Sequence, residues 1–245
     1  MDIYVDNLVL EITRRCNMKC RHCMRGPARR LDMDKQVINR ILGQIDQLSS
    51  VTITGGEPSL NVPAIVQFKD WLWMYRKRIQ SFYVVSNGKK NSQALCKALL
   101  DLYMFTDQDY DEGMTTLAMS RDQYHEGLKI PRAFQALSFF KPEAKSKDIP
   151  WEAILDEGRA HENGLGSNKR ENKWSFLDDD MDADGTLRVE LVNISANGNV
   201  NPTCDLSYAR ADKESSGNVL EESLEDILLR AWRKIHPEQE LKEAA

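Results

Sequence analysis

Apolar positions along this chain switch repeatedly between two periods. Leu8 to Ile12 is an apolar, β-prone run, and from Lys35 to Leu48 the residues Val37, Ile38, Ile41, Leu42 and Ile45 fall at helical spacing. Val51 to Thr54 reads as a second strand stopped by Gly55-Gly56, and Ala64 to Arg78 as a helix rich in Trp and Phe. Ser81 to Ser86 predicts a third strand ending at Asn87-Gly88, followed by a helix from Ser92 to Tyr103. Thr116 to Ser120 and Pro131 to Phe140 predict a fourth strand and helix. Short strands alternating with helices imply an α/β fold around a parallel sheet.

Beyond Pro142 the alternation weakens. A short strand is predicted at Ala153 to Leu155, then a polar, turn-rich loop or linker, then a hairpin from Leu187 to Ser195 that turns at Asn197-Gly198 and returns through Val200. A last helix runs from Ser223 to Ile235, with Leu224, Ile227, Leu228 and Ala231 on one face. The expected division is a core at residues 1–156, a linker at 157–185 and an extension at 186–245. No repeat and no low-complexity tract interrupts it.

A length of 245 residues suits one α/β domain with a short appendage. With 33 basic against 38 acidic residues and a net charge of −5, nucleic acid and anionic lipid are not expected as partners. No apolar run reaches the roughly 20 residues needed to span a bilayer, and the N-terminus lacks the regions of a secretory signal. A cytoplasmic location is therefore expected, where the five cysteines would stay reduced or bind metal.

Three of those cysteines crowd together as Cys16-Asn-Met-Lys-Cys20-Arg-His22-Cys23, directly after the first strand. A [4Fe–4S] cubane held by three thiolates keeps one iron without a protein ligand, open to a substrate or cofactor. Structural zinc wants four ligands, and only a folded-back His22 could supply the fourth. Spacing alone leaves both readings open. Val51-Thr-Ile-Thr-Gly55-Gly56-Glu57-Pro58 closes the second strand with two glycines that permit a tight turn and close backbone approach.

Together these residues resemble the radical S-adenosylmethionine superfamily, whose signature is C-x3-C-x-Φ-C, with His22 where the family carries an aromatic ring. The resemblance implies a partial (β/α)₆ TIM-like barrel, open on one side, with its active site at the C-terminal strand ends. It implies a cluster on Cys16, Cys20 and Cys23 whose free iron binds the methionyl amine and carboxylate of S-adenosylmethionine. Reductive cleavage of the sulfonium would release a 5′-deoxyadenosyl radical, and His22 would lie against the adenine. A Gly-Gly-Glu motif receives the methionyl amine in the family, so Gly55, Gly56 and Glu57 carry over. Ser86 and Asn87 at the third strand end, with Ser120 and Asp122 at the fourth, stand where the family places ribose and carboxylate contacts; on their own they read as caps or turns. Arg159 resembles a recurring arginine of some members and equally reads as a surface cation.

The segment from Asn193 to Cys204, with Gly217-Asn218-Val219 and the helix start at Ser223, resembles a SPASM or twitch extension, common in peptide maturases. Such extensions carry auxiliary clusters, but only Cys204 is available here, since Cys96 lies in an apolar helix. The expectation is a shortened hairpin-plus-helix extension without metal, on an enzyme that modifies a peptide or protein by hydrogen abstraction. The alternatives are a glycyl-radical-enzyme activase and a non-catalytic iron–sulfur or zinc module that senses redox state. No catalytic residue is assigned; Cys204 and Tyr208 are chemically eligible hydrogen donors.

Between Glu11 and Asp32 the loop carries Arg14, Arg15, Lys19, Arg21, Arg25, Arg29 and Arg30 and no acid. This is expected to favour cluster reduction and to dock an acidic electron donor such as a flavodoxin or ferredoxin. Asp180-Met-Asp182-Ala-Asp184-Gly185 begins like a calcium loop, but Leu191 stands where the closing glutamate belongs, so a solvated loop is expected. His125 and His161 read as surface residues, with His125 close enough to Ser120 and Asp122 to reach the site's mouth.

Overall fold

The computed structural model describes residues 1–107, 114–142, 147–177 and 185–237. The calcium-like acidic run through Asp180, Asp182 and Asp184 lies outside them. Four βα pairs come first: β1 (Ile3–Glu11) and α1 (Lys35–Leu42), β2 (Gln47–Thr54) and α2 (Val62–Met74), β3 (Ser81–Ser86) and α3 (Gln93–Tyr103), β4 (Thr116–Met119) and the short α4 (Arg132–Gln135). There follow α5 (Gly158–Glu162), β5 (Leu187–Ile194), β6 (Asn199–Asn201), α6 (Tyr208–Lys213), β7 (Gly217–Asn218) and α7 (Leu224–Ile235). All seven strands form one sheet in the order β4-β3-β2-β1-β5-β6-β7.

Local chemistry sets the helix ends. The side chains of Asp34, Ser92 and Ser223 cap α1, α3 and α7 by accepting from the N–H groups of Gln36, Leu95 and Asp226. Gly43 ends α1 well before the expected Leu48, and β2 starts at Gln47 because Tyr4 of β1 is there to pair with it. Ile45, which continued the helical spacing, is instead a buried connecting residue. In place of a strand at 153–155 there is a 3₁₀ turn at Trp151–Ala153 and a single bridge from Leu155 to Asn168. Beyond β4, the next barrel strand is reduced to residues around Phe140, bridged in parallel to Leu117.

Helices cover one face of the sheet. Leu8, Leu10, Val51, Ile53, Val84, Leu117, Val192 and Ile194 pack there with Val37, Ile41, Phe68, Leu99, Leu228 and Trp232 in one cluster. The alternate strand positions form the other, more polar wall, with Asn193, Val9, Thr52 and Tyr83 in register across it. This is the expected α/β partial barrel, with the C-terminal ends of β1 to β4 along one rim. β5 pairs in parallel along β1 from Ile3 to Leu10, so residues beyond 186 complete the sheet that the first strand begins. Removing residues 186–245 should therefore abolish cooperative melting of residues 1–185, measured by circular dichroism; a fragment that keeps its transition would contradict this.

Candidate active site

The ladder between β1 and β2 does not stop at the strand ends. Ile12 N–H donates to the Thr54 carbonyl at 3.0 Å, Gly56 N–H to that of Thr13 at 2.7 Å, and Glu57 N–H to that of Arg15 at 2.9 Å. The turn at Gly55-Gly56 thus lies directly against the backbone that enters the cysteine loop. Gly55 sits at φ 147°, and a Cβ there would come within 2.3 Å of the Thr13 carbonyl oxygen. A Cβ on Gly56 would stand 2.2 Å from the Arg15 carbonyl oxygen and 3.0 Å from Cys16 Cβ.

Glu57 is fully buried behind this turn. Its Oε1 accepts from Ser59 N–H at 3.0 Å and from the Ser86 hydroxyl at 2.8 Å, and its Oε2 from Asn87 N–H at 2.8 Å. The carboxylate therefore fastens the end of β2 to the end of β3. Asn87 reaches the cysteine loop in turn, donating to Asn17 Oδ1 at 2.8 Å, with its Nδ2 3.9 Å from Cys16 Sγ. Ser120 joins only through its backbone, donating to the Ser86 carbonyl at 3.0 Å.

All three loop cysteines are partly buried at this rim. Burial pushes the Cys16 thiol pKa up, against a hydrogen bond from Met18 N–H. Three thiols fall one ligand short of a structural zinc site and suit a cubane that leaves one iron open.

The fourth strand end corrects the surface reading of His125. His125 is not on the surface: it is 9% exposed, and its Nε2 lies 3.4 Å from Cys20 Sγ. Asp122 Oδ1 accepts from His125 Nδ1 at 2.8 Å and from Tyr124 N–H at 2.9 Å, so this carboxylate positions a neighbour. Burial opposes charge on both groups, but their hydrogen bonds win: Asp122, bonded by His125 and Tyr124 N–H, lies below the usual carboxylate range, and His125, bonded to Asp122 and Cys20, is pushed up to about 9. His22 stacks on Tyr124 at 4.2 Å and meets His125 edge-on at 5.4 Å; burial pushes its imidazole toward the neutral form. His161 is exposed, as expected, and pairs with Asp156. Tyr124 and His125 were legible only as a polar and aromatic run just past the fourth strand.

The basic loop is less free than its sequence suggests. Arg14, 1% exposed, donates to Glu11 at 2.6 Å and in bidentate fashion to Asp212 at 2.7 Å, over the ring of Tyr208. Arg29 shares Asp212, Arg15 pairs with Asp32, and Arg25 approaches Glu11 and donates to the Leu206 carbonyl. Lys19, Arg21 and Arg30 are left exposed. The acids that the loop lacks come mainly from its flanks and from α6. Burial also pushes up the pKa values of the Tyr208 hydroxyl and the Cys204 thiol. Arg159 belongs to α5, where its N–H donates to the Cys23 carbonyl at 2.9 Å.

Residues 10–112 match the Radical SAM superfamily. That stretch carries a radical SAM domain. The cofactors of that superfamily are a [4Fe–4S] cluster and S-adenosylmethionine. The chain resembles two solved structures along most of its length: anSMEcpe with bound AdoMet, at 12% identity and TM-score 0.51 over 92% of this chain and 77% of that one, and Streptococcus suis SuiB bound to S-adenosylmethionine, at 15% and 0.53 over 95% and 68%. These likenesses are in fold. A 69-residue stretch is 35% identical to the uncharacterized protein MJ0907 of Methanocaldococcus jannaschii, covering 26% of this chain and 24% of that protein. The chain thus matches about a quarter of that relative's length.

Two outcomes follow for this site. Gly56→Ala should lose most bound iron, read by metal analysis after anaerobic reconstitution, because the added carbon meets the Arg15 carbonyl and the Cys16 Cβ. Asp212→Asn should lower stability by about 2–3 kcal/mol, less than the ~3–5 of a fully buried pair since Asp212 is partly exposed, measured by denaturant melts.

Proposed function

We propose that this protein is a radical SAM enzyme that holds its [4Fe–4S] cluster on Cys16, Cys20 and Cys23 and modifies a peptide or protein by hydrogen abstraction. The observation that carries the reading is the backbone pairing of the cysteine-loop entry with Gly55-Gly56-Glu57, which sets three thiols beside a turn at the C-terminal ends of parallel strands. Ligands bind at such strand ends in barrels and open sheets.

When bound, the reduced cluster and S-adenosylmethionine supply a 5′-deoxyadenosyl radical. The chain's own residues hold and orient. Glu57 spends its carboxylate on Ser59, Ser86 and Asn87, which leaves the peptide carbonyls of the glycine turn as acceptors for the methionyl amine. His22, with one face on Tyr124, offers the other to the adenine. Asn87, Ser86 and Ser120 line the same rim and are the candidates for ribose and carboxylate contacts.

The peptide reading has two supports. The chain's hairpin extends the barrel sheet beside β1. Two chains of similar fold are recorded with peptides, anSMEcpe with a Cp18Cys peptide and SuiB with its precursor peptide SuiA. A one-electron donor of the flavodoxin or ferredoxin kind would dock at the exposed Lys19, Arg21 and Arg30, a smaller patch than the sequence promised. A cytoplasmic setting suits the free thiols. Among the described residues no helix is long and apolar enough to cross a membrane.

Anaerobically reconstituted protein should carry about four irons per chain and, with dithionite, form 5′-deoxyadenosine detectable by chromatography. Replacing Cys16, Cys20 or Cys23 by Ala should reduce that product at least a hundredfold. Zinc without iron, or an iron-loaded protein that leaves S-adenosylmethionine intact, would refute the assignment.

A further inference from the structure

Beside the three thiols, one side chain has no place in the reading above. His125 is buried 105 positions along the chain from Cys20, yet its Nε2 stands 3.4 Å from that sulfur. Both nitrogens of its ring are engaged, and its backbone is fixed as well. Asp122 Oδ1 takes Nδ1 at 2.8 Å, the His125 N–H donates to the Asp122 carbonyl at 2.9 Å, and His22 packs edge-on at 5.4 Å. Asp122 is itself buried and fixed by Tyr124 N–H. A histidine serving only as packing would not need a carboxylate to orient one nitrogen while the other meets a thiol.

We propose that His125, oriented by Asp122, is a positioning residue that donates an Nε2–H hydrogen bond to the Cys20 sulfur and so raises the reduction potential of the cluster. This rests on Cys20 being a cluster ligand. An iron-bound thiolate carries no proton, so the contact exists in the loaded protein only if the ring supplies the hydrogen. Hydrogen bonds to cluster sulfurs are among the factors that set iron–sulfur potentials, and partners behind a metal ligand tune the metal. Reduction adds one negative charge spread over iron and sulfur, and an N–H dipole aimed at the sulfur stabilises that charge more than it stabilises the oxidised form. One electron enters from a low-potential one-electron reductant. No bond forms or breaks, and the proton stays on His125.

The test is an EPR-monitored redox titration of the reconstituted enzyme and its variants, with iron counted in each. His125→Leu, with iron content unchanged, should lower the potential so that the reduced-to-oxidised ratio at a fixed applied potential falls about tenfold, roughly 59 mV for a one-electron couple. His125→Gln, whose amide can donate, should recover part of the shift, and Asp122→Asn should fall between. Full iron with an unchanged potential in His125→Leu would overturn the inference while leaving the cluster assignment intact; absence of iron from the unmodified protein would overturn both. Should the leucine variant fail to fold, ENDOR of the reduced unmodified enzyme decides. A deuterium-exchangeable proton coupled to the cluster supports the hydrogen bond. Its absence, or a nitrogen coupling large enough for a directly bound imidazole, refutes it.

Discussion

Everything at this rim depends on how closely two pieces of backbone approach. Thr13 to Arg15, entering the cysteine loop, and Gly55 to Glu57, leaving β2, stay hydrogen-bonded past the point where strands normally part. Side chains at the two glycines would force them apart. Because that contact holds, Cys16 is placed by the sheet and not by a free loop, and Glu57 is carried inward to bind the end of β3. A motif that could pass for an ordinary turn is therefore what makes the thiols part of the scaffold.

The second support comes from the far end of the chain. Arg14 lies between Glu11 and Asp212, stacked over Tyr208, and Tyr208 N–H donates to the Arg25 carbonyl. A buried arginine with two carboxylates and an aromatic face is costly to desolvate and gains chiefly in geometry. Here it ties both ends of the cysteine loop to α6. The C-terminal segment thus has a structural task independent of metal: it completes the sheet through β5 and holds the loop through α6.

Much of this was legible in the residues. The strand and helix alternation, the β3 span, the α3 and α7 caps and the hairpin turn at Asn197-Gly198 depend on periodicity and turn chemistry, which are local. The errors share a cause. Residues 35–48 keep helical spacing to Ile45, but Gly43 and the pairing offered by β1 end the helix early, and sheet pairing cannot be seen in a window. The strand expected at 153–155 is cut to the single bridge from Leu155 to Asn168. In the site, the cysteines and glycines were found because their spacing is sequential. His125 and Asp212 were missed because each meets the loop across more than a hundred residues of chain. His125 read as a surface residue and Asp212 drew no reading at all until the fold brought them to Cys20 and Arg14.

The central claim is a cubane on three thiolates with one iron left for S-adenosylmethionine. Mössbauer spectroscopy of protein loaded with isotopically enriched iron tests it directly. A single iron of the cubane should change its isomer shift when S-adenosylmethionine is added, the others staying fixed. A cubane with all its irons already ligated by side chains, unresponsive to S-adenosylmethionine, would contradict the account.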